Sequence, residues 1–322
     1  MRTLQLRLDI TEAQLTSSEA TMAVSVHLPD ADGLPGTIVF GYPGGGFARG
    51  YYDIRLPGDT SYSLAEYLTS RGVGVVACDH LGVGESSPIP DRHEQSIEAL
   101  ADANALTVDL VLRELDALNP GARPRLVGMG HSMGGCLLVV QQARHRSFDA
   151  LVVLGWSSRH TAYPDARGGI LDIRWPSRGQ DPRRNPPERR FTREEKIFTY
   201  YQDDVPRDFV EADLATTDSD PAAATALRGS ARMPWGSPTR PECAATLCSP
   251  GVIASEAAQI AVPVLLATGE RDVVARPDLE PLAYPRVPEY SWVSIPRMSH
   301  MHNFAGSRLL LWEHLQGWLA AR

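Results

Sequence analysis

Lysine is all but missing from this chain. Lys196 stands alone, and arginine carries every other fixed positive side-chain charge. With 31 basic residues against 39 acidic ones the formal net charge is −8, so the arginines create no surplus positive field. That balance argues against broad binding to nucleic acid or to an anionic membrane, and the arginine bias reads as GC-rich codon usage. Cysteine is scarce too. Cys78, Cys136, Cys243 and Cys248 form no C-x-x-C pair, which excludes a disulfide scaffold and gives no zinc-site spacing. No apolar run approaches the ~20 residues of a membrane helix, and the opening residues lack the apolar stretch of a signal peptide. The expectation is a reducing, cytoplasmic setting. What remains is ample: 322 residues, 43% hydrophobic and 22% charged, enough for a large buried core and too apolar for disorder.

The hydrophobic pattern changes along the chain. Leu4, Leu6, Leu8 and Ile10 alternate with polar residues, as do Met22, Val24, Val26 and Leu28, which predicts two half-buried antiparallel strands. Short continuous apolar runs follow at Thr37–Phe40, Val73–Ala77, Arg125–Gly128 and Leu151–Leu154, while Val264–Thr268 and Ser291–Ile295 later read as two more strands. Runs of this type suit strands covered on both faces. Helical spacing separates them, over Ser61–Arg71, from about His93 to Leu118, over Met133–Arg144 and over Ser307–Ala320. The order predicts an α/β, mostly parallel, doubly wound sheet. Between Trp156 and Pro263 the alternation stops, and the chain becomes polar and rich in proline and arginine. A structureless loop of that length is improbable. The expected organisation is a core over residues 1–155 and 260–322 with an inserted helical cap over 156–259, its helices near Arg193–Tyr201 and Phe209–Ala215.

The chemistry concentrates at three strand ends. Gly130-His131-Ser132-Met133-Gly134 joins a strand directly to a helix. A reversal that tight strains the backbone at the serine, requires glycine two residues to either side, and lifts the hydroxyl of Ser132 to a helix N-terminus. A serine nucleophile needs a base, and the base needs an orienting carboxylate. The loop after Val264–Thr268 offers Asp272, with Glu270 as its rival. The loop after Ser291–Ile295 offers His300 and His302, of which His300 is the better placed base. A His-x-His pair also invites a metal reading, but no further ligands accompany it. For the oxyanion, the backbone N–H of Met133 is one donor, and the glycine-rich loop Gly41-Tyr42-Pro43-Gly44-Gly45-Gly46-Phe47 after Thr37–Phe40 supplies the other. His80 and His131 fall near the expected mouth, though not where the base belongs. The arginines of 174–193 could bind an anionic substrate group, but their acidic neighbours favour an ion-paired surface. Trp156, Trp175, Trp235, Tyr200 and Tyr201 suit either an aromatic pocket or a small core within the cap.

Together with Asp79-His80-Leu81-Gly82-Val83-Gly84-Glu85-Ser86, these motifs resemble those of the α/β-hydrolase fold over residues 20–156 and 260–322. The resemblance implies Ser132 as nucleophile, Asp272 as acid and His300 as base, with Gly45 (or Gly46) and Met133 as oxyanion donors. It implies no metal or organic cofactor. Pro43 departs from the pattern, standing where many members carry a histidine. The serine excludes the aspartate-dependent dehalogenase and epoxide-hydrolase variants. The expected activity is hydrolysis of a carboxylic ester, lactone or thioester in a small-molecule acyl substrate, with room for a bulky or aromatic group. Alternatives are a biosynthetic acyltransferase, thioesterase or C–C bond hydrolase using the same triad, and a non-catalytic ligand-binding protein. Self-association as a homodimer stays open.

Overall fold

A computed structural model describes residues 1–13, 15–16, 18–56, 59–89, 95–189, 191–215 and 233–322. Its centre is an eight-stranded sheet. The strands are β1 (Arg2–Asp9), β2 (Thr21–Leu28), β3 (Thr37–Tyr42), β4 (Val73–Cys78), β5 (Arg125–His131), β6 (Ala150–Leu154), β7 (Val264–Gly269) and β8 (Tyr290–Ile295). They lie in the order β1-β2-β4-β3-β5-β6-β7-β8. β2 runs antiparallel to both β1 and β4, and all other pairs are parallel.

Alternate side chains of the central strands enter different cores. Ile38, Phe40 and Tyr42 pack with α2 (Ile97–Leu118) and α3 (Met133–His145), while Val39 between them faces the opposite layer. That second layer holds α1 (Leu64–Thr69) and the C-terminal helix, through Leu64, Leu68, Leu311, Trp312 and Leu315. Two-sided coverage is why these strands read as continuous apolar runs. β2 departs from the half-buried expectation. Its alternate face (Ala23, Ser25, His27) is buried as well, because α1 packs against β2 and Arg49 reaches Ser25, and its polar groups find partners: Ser25 in Gln5 and Arg49, His27 in Thr3. β1 and β8 are the edge strands, β1 mostly exposed and β8 only partly buried.

Local chemistry sets the helix starts. The Ser96 hydroxyl accepts from the Ala99 N–H to open α2, and Thr192 with Glu195 forms a capping box on α4 (Arg193–Tyr200). The expected α2 start at His93 lies outside the described residues. Between β6 and β7 the chain also forms α5 (Arg207–Ala215) and a single turn, α6 (Ala254–Ala257), ahead of the C-terminal α7 (Arg308–Ala320). α4 and α5 fall where helices were expected, near Arg193–Tyr201 and Phe209–Ala215, and among the described residues of 156–192 there is no helix. Pro176, Pro182, Pro186 and Pro187 interrupt that stretch. It instead carries isolated bridges, Thr161 to Val274 and Pro164 to Ile170.

Candidate active site

β5 runs straight into Ser132, whose φ of 52° and ψ of −119° lie where L-residues rarely sit. The strain is held by hydrogen bonds. The Ser132 N–H donates to the Leu154 carbonyl on β6 at 2.8 Å, and its own carbonyl accepts from Gly135 at 2.9 Å. A Cβ at Gly130 would run into the backbone of Gly134, and one at Gly134 into the Tyr42 carbonyl of β3. The hydroxyl stands half-buried at the start of α3, whose first N–H, that of Met133, has no intrahelical acceptor.

The loop after β8 brings His300 to this hydroxyl. Nε2 of His300 lies 2.9 Å from Ser132 Oγ, and its Nδ1 lies 2.7 Å from Asp272 Oδ1. The final residues of α4 brace the loop, because His300 N–H donates to the Thr199 carbonyl and Met301 N–H to that of Tyr200. The Tyr200 ring sits 5.6 Å from the His300 ring, centroid to centroid.

Asp272 follows β7 and is buried. Its Oδ2 accepts from the Gly269 N–H at 2.9 Å and from His302 Nε2 at 2.7 Å, while Oδ1 also accepts from the Val273 N–H at 2.8 Å. Burial alone would raise its pKa, but His302 and His300 together outweigh that and hold the carboxyl well below its ordinary range. The rival Glu270 is exposed, and its carboxylate accepts the Arg297 N–H instead.

Gly155 and Tyr51 are neighbours of the site that carried no recognisable signal in the sequence. Gly155, at φ 56°, follows β6, and a Cβ there would lie 3.1 Å from both Asp272 oxygens and from His300 Nδ1. His131 donates from Nε2 to the His300 carbonyl at 2.8 Å and stacks between Tyr51 and His300. Burial, reinforced by the other two imidazoles, pushes its pKa well down. His80 contacts the Pro43 carbonyl through Nε2 at 3.0 Å, which steadies the glycine-rich loop after β3. In that loop a Cβ on Gly44 would press on Ser132, and Gly45 lies against Met133 and Arg240. The Gly46 carbonyl accepts from the Ser237 N–H, and Phe47 bridges Gly236, so the β6–β7 segment clasps the loop. Of the aromatic candidates, only Tyr200 is shown beside an imidazole of the site. Trp156, Trp235 and Tyr201 are core residues, and Trp175 packs on Tyr163 and Phe191.

Residues 38–310 match the alpha/beta hydrolase family, which is most of the chain. The chain belongs to that family. No curated protein matches it. Among solved structures it is similar to a probable hydrolytic enzyme from Pseudomonas aeruginosa, at 21% identity and a TM-score of 0.61, covering 98% of this chain and 94% of that one. A thermophilic esterase from Thermogutta terrifontis matches at 18% identity and 0.59, over 99% and 98% of the two chains. A proline iminopeptidase from Mycobacterium smegmatis matches at 16% identity and 0.60, over 99% and 100%. At these identities the likeness establishes the fold, and an alpha/beta hydrolase must be assigned its reaction from its own site.

Proposed function

We propose that the chain is a serine hydrolase cleaving a carboxylic ester, lactone or thioester through an acyl-enzyme. The observation that carries this reading is the unbroken path from Ser132 Oγ to His300 Nε2 at 2.9 Å and from His300 Nδ1 to Asp272 at 2.7 Å. Asp272, held as the carboxylate, accepts a hydrogen bond from the His300 Nδ1–H and so leaves Nε2 as the base. His300 takes the Ser132 proton as Oγ attacks the acyl carbon, then returns it to the departing alcohol or thiol. Water, deprotonated by the same nitrogen, releases the acid and restores Ser132. The N–H of Met133 and that of Gly45 or Gly46 would receive the oxyanion. None of these steps calls for a metal or organic cofactor.

Residues 156–259 act as a cap in this reading, which the contacts from Thr199, Tyr200, Gly236 and Ser237 to both catalytic loops support. Turnover of 4-nitrophenyl esters tests the proposal. The native chain is expected to hydrolyse them, and Ser132→Ala to lose on the order of 10³-fold or more in kcat. Equal rates for the two proteins would sink it.

A further inference from the structure

The arginines of the β6–β7 segment fall into two kinds. Arg178 pairs with Glu98 at 2.6 Å and Glu256 at 2.8 Å, Arg183 with Glu242 at 2.6 Å, Arg189 with Glu195 at 2.8 Å and Arg193 with Glu211 at 2.6 Å. Arg159, Arg167, Arg174 and Arg240 have no side-chain ion pair or hydrogen bond among the described residues, and what marks Arg240 is its place against the glycine-rich loop. Its Cδ lies 3.4 Å from the position a Cβ on Gly45 would take, a point also 3.7 Å from Met133 Sδ. The side chain therefore crosses the loop expected to receive the oxyanion. Its charge acts on Tyr200, whose ring faces His300, and on Tyr163 and Cys248 beside it. Tyr163 and Cys248 bond each other at 3.1 Å and bring no compensating carboxylate.

We infer that Arg240 is a specificity-determining residue and that the substrate carries a carboxylate apart from the bond to be cleaved. A guanidinium offers a planar fork matched to a carboxylate, and Arg240 is exposed, with no ion pair to break among the described residues. Placed against Gly45, it selects the acyl or alcohol portion by charge while Ser132 and His300 perform the cleavage. The inference rests on the hydrolase reading and adds the substrate class to it.

Two pairs of esters test it. On the acyl side, 4-nitrophenyl hydrogen adipate is compared with its methyl-capped diester. On the alcohol side, 4-acetoxybenzoate is compared with its methyl ester. The expected result is a kcat/KM ratio favouring the free carboxylate in at least one pair, on the order of tenfold. That ratio should collapse in Arg240→Gln and invert in Arg240→Glu. No preference in either pair overturns the inference, as does a preference retained by Arg240→Gln. An equal loss on charged and neutral esters overturns it as well, since that would make Arg240 a general electrostatic element. If no ester turns over at all, the hydrolase reading fails separately. The inference is then read by calorimetry of monomethyl adipate binding to Ser132→Ala with and without Arg240→Gln. Tenfold weaker binding to the double variant upholds it, and equal binding or none contradicts it.

Discussion

Asp272 accepts hydrogen bonds from both imidazoles of the His300-Met301-His302 run, yet only His300 also reaches Ser132. That geometry separates two residues whose sequence positions alone leave either as a candidate base. In the proposed mechanism His302 is a positioning residue, fixing the second carboxylate oxygen while His300 uses the first. His302→Phe, which removes the donor, is expected to lower kcat about tenfold with KM unchanged, while His302→Gln, which keeps an N–H, loses less. A merely structural role would reduce the number of active sites titrated by a fluorophosphonate and leave kcat per active site untouched. Asp272 and His300 were legible because functional loops leave the C-terminal ends of parallel strands. Gly155 and Tyr51 were not, because their value lies in contacts with residues distant in sequence, and nothing local to them marks it.

Between the residues and the sheet stands the turn after β4. Asp79 is fully buried, accepts the Arg49 N–H at 2.6 Å and the Glu85 N–H at 2.9 Å, and pairs with the Arg49 guanidinium. A Cβ on Gly84 would collide with its carboxylate. The turn thus ties β4 to the segment that follows the glycine-rich loop, a structural part for a motif recognised only by resemblance. Asp79→Ala leaves the Arg49 and Glu85 N–H groups and one arm of the Arg49 guanidinium without their acceptor, while the other arm keeps Glu85 at 2.6 Å. It should destabilise the fold by roughly 3 kcal/mol, read from the denaturant midpoint. A change within 0.5 kcal/mol would contradict this assignment, since that is the usual range for uninvolved surface sites. Strands and long helices were readable within a few residues because two-sided burial writes itself into continuous apolar runs. The irregular stretch of 156–192 was not, because bridges and aromatic contacts such as Tyr163 on Phe191 have no periodicity to detect.

For the whole molecule, acid is the informative stress. Burial holds the pKa of His80 below the ordinary imidazole value of 6.5, and burial with the neighbouring His300 and His302 does so more strongly for His131. Below pH 6.5 the unfolded chain therefore takes up protons that these folded imidazoles refuse, and stability declines as pH falls. Asp272, held well below 3.8, adds stability that is complete above that value and lost as pH drops through its lower folded pKa. Calorimetric melting temperatures should begin to fall between pH 6.5 and 5 and fall more steeply below pH 4. A flat profile from pH 7 to 5 would contradict the buried neutral imidazoles.

The central claim is that Ser132 is an activated nucleophile, and intact-mass analysis after fluorophosphonate treatment addresses it most directly. The account predicts one adduct on the native chain and none on Ser132→Ala or on His300→Gln over the same interval. An unlabelled but folded native chain, or equal labelling of Ser132→Ala, would contradict it.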